Sequence, residues 1–441
     1  MERRPRRAAF PGYRLAGLFS FASPARLGSS NGALESAPTR QPGKAALLWV
    51  PAVAQAVSTH LWYMAALTTA LICPRPCFAT EPSPGEHKLL YVAEPGVRDY
   101  LEYGGHGLLV FDIDRGHRFV RRIPTGGLDE KGKPLNVKGV CASAVSKRIY
   151  ISTTRTILCL DLLTDKLLWE KAYDGGCDRL ALSPDGKIIY APSLEGDHWN
   201  VVDAMTGAAL DKIVRKSGAH NTIFGLDGSR VYLAGLKSPV LTVMDARTHE
   251  VSTTVGPFGN VIRPFTVNGS QNLCFVNVNG LLGFEVGDLR TGKLLHRVEV
   301  PGSKPGTEKR HGCPSHGIGL TPDETELWLT DAANNEMHIF DATVLPPKLI
   351  GAVRLRDQPG WVTFGLDGRF AYPSTGDVIE VKTRKTVAEL TDEEGRAVQS
   401  EKLLEIDFEG VEPVKAGNQF GLGRKLNVAA GVPPPGKSAS H

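Results

Sequence analysis

Five side chains able to bind or move charge recur at one position of a repeated pattern. Counting back twelve residues from Tyr150, Tyr190, Tyr232, Phe275, Trp328 and Tyr372 gives Lys138, Asp178, His220, Arg263, His316 and Gly360. Five of these six carry a charge or an imidazole, whereas of the twelve positions flanking them only Arg179 does. If the repeats converge, Lys, Asp, Arg and two His meet in one place, a set suited to a small anionic ligand or to a metal. A second concentration lies in Pro301-GSKPGTEKRHGCPSH, where His311, Cys313 and His316 are spaced H-x-C-x-x-H. Imidazole and thiolate in that spacing suit copper, zinc or a haem iron. The metal candidates are therefore His220, His311, Cys313 and His316, and the cofactor they admit is a transition metal. The order is not the C-x-x-C-H of covalent haem attachment. Cys177, beside Asp178, is placed to approach Cys313 as a disulfide or as a shared ligand. For catalysis the candidates are His316, His220 and Asp178: an imidazole to activate water and a carboxylate to orient it.

The elements that must position these residues form a pattern of about 42 residues. Each copy reads as a short apolar strand, a Pro-Asp-Gly-like turn, a strand carrying the aromatic, a strand ending in Asp, then Thr-Gly and a last strand. The strand-ending Asp falls at Asp112, Asp161, Asp203, Asp245, Asp288 and Asp341, and a seventh copy has Val381 near that place. Seven copies of four strands predict an all-β chain, a seven-bladed β-propeller over residues 88–408. One four-stranded blade cannot bury both of its faces, so blades must pack against one another around an axis. The first copy starts at Lys88 on its second strand. Its inner strand is therefore expected from residues 400–408, closing the ring and removing an open edge. Residues 409–441 read as a tail, largely disordered at its end from Gly431.

The repeats resemble the YVTN family of bacterial seven-bladed propellers. Leu182-Ser183-Pro184-Asp185-Gly186-Lys187, Tyr190 and the run from Val201 through Asp203 to Thr206-Gly207 carry the family motif nearly intact. The resemblance implies an exported propeller. Relatives include extracellular binding modules, lactonase-like proteins and haem-carrying nitrite-reductase propellers, so the fold leaves activity open. Separately, Asp161, Thr164, Lys166 and Trp169 resemble the tryptophan-docking motif of quinone propellers. Asp165 stands where that motif has Gly, and the neighbouring copies have Asp211, Thr253 and His296 in place of Trp. A single copy reads as a structural staple. Trp361 and the Asn334-Asn335 pair also read as packing and turn residues.

Composition narrows the classes. Charged residues are 22% and hydrophobic residues 41% of 441, which excludes multi-span membrane insertion and a disordered polyelectrolyte. Residues 1–80 hold nine Lys/Arg against two Asp/Glu, and the rest 42 against 45. The folded body is thus near neutral and lacks the basic face that nucleic acid requires. Within 1–80, Leu61–Ile72 is apolar and Cys77-Phe78-Ala79 offers small residues for cleavage after Ala79. The segment 61–79 is expected to export the chain to the periplasm or outside, either cleaved or kept as an anchor. Three functions compete: a binding propeller for a small anion or a protein, a lactonase-like hydrolase using the His, Arg and Asp above, and a metal- or haem-linked redox module. Oligomeric state is open.

Overall fold

The computed structural model describes residues 85–302 and 310–425. The leader with its expected cleavage site, and the tail from residue 426 with its expected disorder, lie outside the described residues. Seven antiparallel sheets form the fold, six of four strands and one of five. Blade two is typical: Val137–Ser143, Arg148–Thr153, Thr156–Asp161 and Leu167–Ala172 run outward in sequence order. This is the seven-bladed β-propeller that the repeat predicts. Among the described residues, no helix is long and apolar enough to cross a membrane.

The recurring Asp-x-x-Thr-Gly builds the turn between third and fourth strands. Asp203 Oδ1 accepts from the Thr206 amide at 2.7 Å and the Thr206 hydroxyl at 2.8 Å, and Gly207 follows with φ +69°. In blade two Asp165 replaces the glycine and still holds φ +57°, a conformation that Asp tolerates better than most residues. Trp169 is a staple, as its isolation suggested: its indole Nε1 donates to the Met205 carbonyl of blade three at 3.1 Å.

Alternation along each strand sends side chains to two different interfaces. On Glu86–Glu94, Leu89, Tyr91 and Ala93 face blade two, while Leu90 and Val92 face blade seven. Each pair of neighbouring blades shares one such apolar cluster, and the cluster between blades seven and one completes the circle. The inner strand of blade one is Leu403–Glu409, paired antiparallel to Glu86–Glu94.

The chain does not leave the propeller at 408. Glu412–Ala416 adds a fifth strand to blade one on the channel side of Leu403–Glu409. Residues 417–425 then cross the channel. The Gln419 side chain accepts from the Val140 amide at 3.1 Å and donates to the Leu180 carbonyl at 3.3 Å, and Trp361 Nε1 donates to the Gln419 carbonyl at 2.5 Å. Further on, the Leu320 amide donates to the Gly421 carbonyl at 2.9 Å, Gly423 to Val267 at 3.1 Å, and Arg424 to Pro322 at 3.1 Å. Blades two, three, five, six and seven are thereby tied to one strand of tail. Gly421 is needed where the tail meets blade six, because a Cβ there would lie 2.5 Å from Gly319 Cα. A cavity of about 300 Å³ is left between the tail and blades two to four, lined by Val140, Leu180, Ile223, Phe224, Phe420 and Leu422 among others.

Candidate functional site: the closed mouth of the channel

Strand register explains why the counted positions converge. The aromatics Tyr150, Tyr190, Tyr232, Phe275, Trp328 and Tyr372 pair with Cys141, Ala181, Ile223, Thr266, Gly319 and Thr363 on the inner strands. Three residues before each partner stand Lys138, Asp178, His220, Arg263, His316 and Gly360. Blade one obeys the same rule: Tyr91 pairs with Leu404, and three residues before it is Glu401. Among the six positions counted from the sequence, Asp178 is the one carboxylate. Glu401 is a second one, hidden because its strand and its aromatic come from opposite ends of the chain.

Two linked groups result. In the first, fully buried Asp178 receives His220 Nδ1 on Oδ2 at 2.7 Å, while Lys138 Nζ lies 3.5 Å from Oδ1. Burial acts to raise the Asp178 pKa, but His220 and Lys138 hold it well below the usual carboxylate range. Burial pushes His220 below the ordinary imidazole value against the pull of Asp178. The pair therefore stands as a carboxylate and a neutral imidazole whose Nδ1–H donates to Asp178. His220 Nε2 is buried without a partner.

The second group centres on Glu401. Its Oε2 accepts from Arg179 and, at 2.9 Å, from Lys402 Nζ, which also donates to the Gly96 carbonyl at 2.8 Å. Its Oε1 faces His311 Nδ1 at 3.1 Å and His316 Nδ1 at 3.9 Å. Burial works to raise the Glu401 pKa, yet Lys402 and Arg179 hold it well below the usual range. Burial drives Lys402 down to about 8 despite Glu401, and drives His316 well below its ordinary value. The Arg179 guanidinium lies 3.7 Å above the Trp361 ring, and its Nε and Nη1 have no partner. Trp361 thus packs as expected, and also floors the mouth.

Not all predicted residues join. Arg263 turns toward the inserted loop, donating from Nε to Asn279 Oδ1 at 2.5 Å and from Nη2 to the Gly312 carbonyl at 3.4 Å. Of the metal candidates, His311 and His316 gather with Glu401. His220 belongs to the Asp178 group instead, and Cys313 stays outside, its Sγ 3.3 Å from the Ser315 carbonyl. Cys177 and Cys313 are both buried thiols, so no disulfide spans the mouth, and burial raises the Cys177 pKa to about 12. Gly360 carries no side chain because His311 fills that space: a Cβ there would lie 2.2 Å from His311 Cε1 and 2.5 Å from Glu401 Oε1. Asn334 and Asn335 form the turn expected of them, with the Asp331 carboxylate accepting the Asn334 amide at 3.0 Å and Asn335 at φ +56°.

No family model matches the chain, and neither does any curated protein. Among solved structures, it is similar to a chain of Kuenenia stuttgartiensis hydrazine synthase, with 14% identity, 57% of this chain and 96% of that chain covered, and a TM-score of 0.40. Likeness at that level carries nothing about substrate or cofactor.

Proposed function

We propose that this chain is an exported YVTN-type propeller that acts as a binding module and takes up a small anion at its channel mouth. The observation that carries this reading is Arg179, nearly fully buried, stacked on Trp361, with two guanidinium nitrogens unpartnered. Buried donors without acceptors are rare and costly, and a carboxylate or phosphate oxygen is the acceptor that a guanidinium fork best fits. Charge supports it. Lys138, Arg179 and Lys402 outnumber the carboxylates Asp178 and Glu401 within the two groups. Export rests on the apolar run Leu61–Ile72 and the small residues ending at Ala79.

The test is calorimetric titration of acetate, succinate, phosphate and sulfate at constant ionic strength. One anion should saturate at one per chain, and Arg179→Gln should weaken it at least tenfold. If no anion binds, or if the variant binds as well as the parent, the reading fails. A mature N-terminus at residue 80 in a secreted or periplasmic fraction checks export.

A lactonase-like hydrolase is the second reading, favoured by the Asp178–His220 pair with its free Nε2. It ranks below binding because Asp178 is also paired with Lys138, so the Asp178–His220 contact is accounted for as part of a buried charge group. Lactone hydrolysis abolished in His220→Ala would promote it.

A further inference from the structure

We propose that His311, His316 and Glu401 form a binding site for one divalent transition metal, with zinc as the type ion. This does not rest on the anion reading, which turns on Arg179. The three residues come from two distant segments, the loop before the blade-six inner strand and the loop before the closing strand of blade one. One donor atom from each lies within 4.8 Å of the others, and all three residues are buried.

The contact lengths fit a shared cation. Two ligand atoms each about 2.0–2.2 Å from one zinc, at tetrahedral to octahedral angles, stand roughly 3.0–3.5 Å apart. His311 Nδ1 and Glu401 Oε1 are 3.1 Å apart. A backbone carbonyl stands beside each imidazole. His316 Nδ1 lies 2.8 Å from the Gly360 carbonyl, to which it can donate, and 3.9 Å from Glu401 Oε1; with Nδ1 so bonded, Nε2 carries the lone pair for a cation. His311 Nε2 faces the Gln358 carbonyl at 3.4 Å, and its Nδ1 is the nitrogen turned toward Glu401 Oε1. Glu401 Oε2 is occupied by Arg179 and Lys402, so Oε1 is the oxygen available for coordination. Outer partners of this kind, a backbone carbonyl behind each imidazole and donors behind the carboxylate, are what orient ligands around a metal.

Gly360 is the independent sign. Every other blade places a side chain at this level, and blade seven omits it where the His311 imidazole stands. The site has thus been given room at the one position able to supply it. A second set of Asp331, Glu336 and His338 also comes together. Asp331 there is committed to its own turn, which explains the set without a metal.

The test uses the full chain, stripped by chelator dialysis and kept in phosphate-free buffer. It is titrated with cobalt(II), whose visible absorption reports nitrogen and oxygen ligation, and with zinc in competition. One cobalt per chain should bind, displaced by zinc. His311→Ala and His316→Ala should each weaken binding at least tenfold, whereas His338→Ala should not. Gly360→Ala, which removes no donor, should also weaken it by pushing His311 aside, and circular dichroism confirms that each variant is folded. Absence of saturable uptake overturns the proposal, as does uptake unchanged in both His311→Ala and His316→Ala. Anion binding that survives chelation, with no cobalt uptake, would overturn the metal site while leaving the anion reading standing.

Discussion

Replacing Gln419 with leucine should loosen the chain segment that crosses the channel. The side chain satisfies two backbone groups, the Val140 N–H and the Leu180 C=O, and is itself almost completely buried. Leucine has similar bulk and can satisfy neither. Leaving a buried backbone group unpaired costs about 1–3 kcal/mol, so two such groups set a range of about 2–6 kcal/mol. Two effects reduce it. Leucine is more favourably buried than glutamine by roughly 1 kcal/mol or more. The adjoining cavity of about 300 Å³, lined in part by Val140 and Leu180, is large enough to admit water beside them. The expected loss is therefore near the lower end, about 2 kcal/mol. Urea unfolding followed by tryptophan fluorescence measures it, with Trp361 as the local reporter, since its indole donates to the Gln419 carbonyl. Gln419→Glu, which keeps an acceptor for Val140 but no donor for Leu180, should fall below the parent too. A loss under about 0.5 kcal/mol for the leucine variant would show that the segment is held by its backbone alone and would refute the reasoning.

Two further outcomes follow from buried charge. Asp178→Asn should destabilise the protein by about 3 kcal/mol, the low end for breaking a buried pair, because Lys138 keeps some access to water; an unchanged urea midpoint would contradict the pairing. His117, hydrogen-bonded to Tyr372 at 3.0 Å, has its pKa pushed down by burial to about 4. The unfolded chain then takes up a proton that the folded one refuses as pH falls from about 6.5 to 4, so stability should drop over that window by up to about 3 kcal/mol. His117→Asn, which suits the φ of +60° at that position, should flatten this slope. Equal slopes in both proteins would remove His117 as the cause.

The blades were legible in the sequence because each repeats the same local chemistry. Asp161, Asp203 and Asp245 each fix a turn through their own carboxylate, and that requirement writes itself at regular spacing. The mouth was legible for the same reason, as far as each inner strand is followed by its own aromatic. Glu401 escaped because the aromatic of its blade, Tyr91, begins the fold while Tyr91's register partner Leu404 ends it. Lys402 went with Glu401, and the part played by Arg179, visible only as a charged neighbour of Asp178, is set by Glu401 itself. The channel segment left no pattern at all. Its bonds run largely through backbone groups and through the approach of Gly421 to Gly319, and neither prescribes a periodic side chain. For His311 the residue type was readable. Its convergence with His316 rather than Cys313 depends on the space at Gly360, which only three dimensions show.

Closure of blade one by residues from both ends of the chain also dictates an order of events during synthesis. Among the described strands Glu86–Glu94 emerges first from the ribosome, and it has no inner neighbour until Leu403–Glu409 follows hundreds of residues later. Throughout that interval Glu86–Glu94 presents an unpaired edge, open to pairing with other chains. Glu401 arrives in the same final stretch, so Arg179, Lys402, His311 and His316 have no shared carboxylate before the circle shuts. The Glu401 half of the mouth is therefore completed only with the final stretch of chain, and a chain truncated before residue 401 would lack both its closing strand and that group.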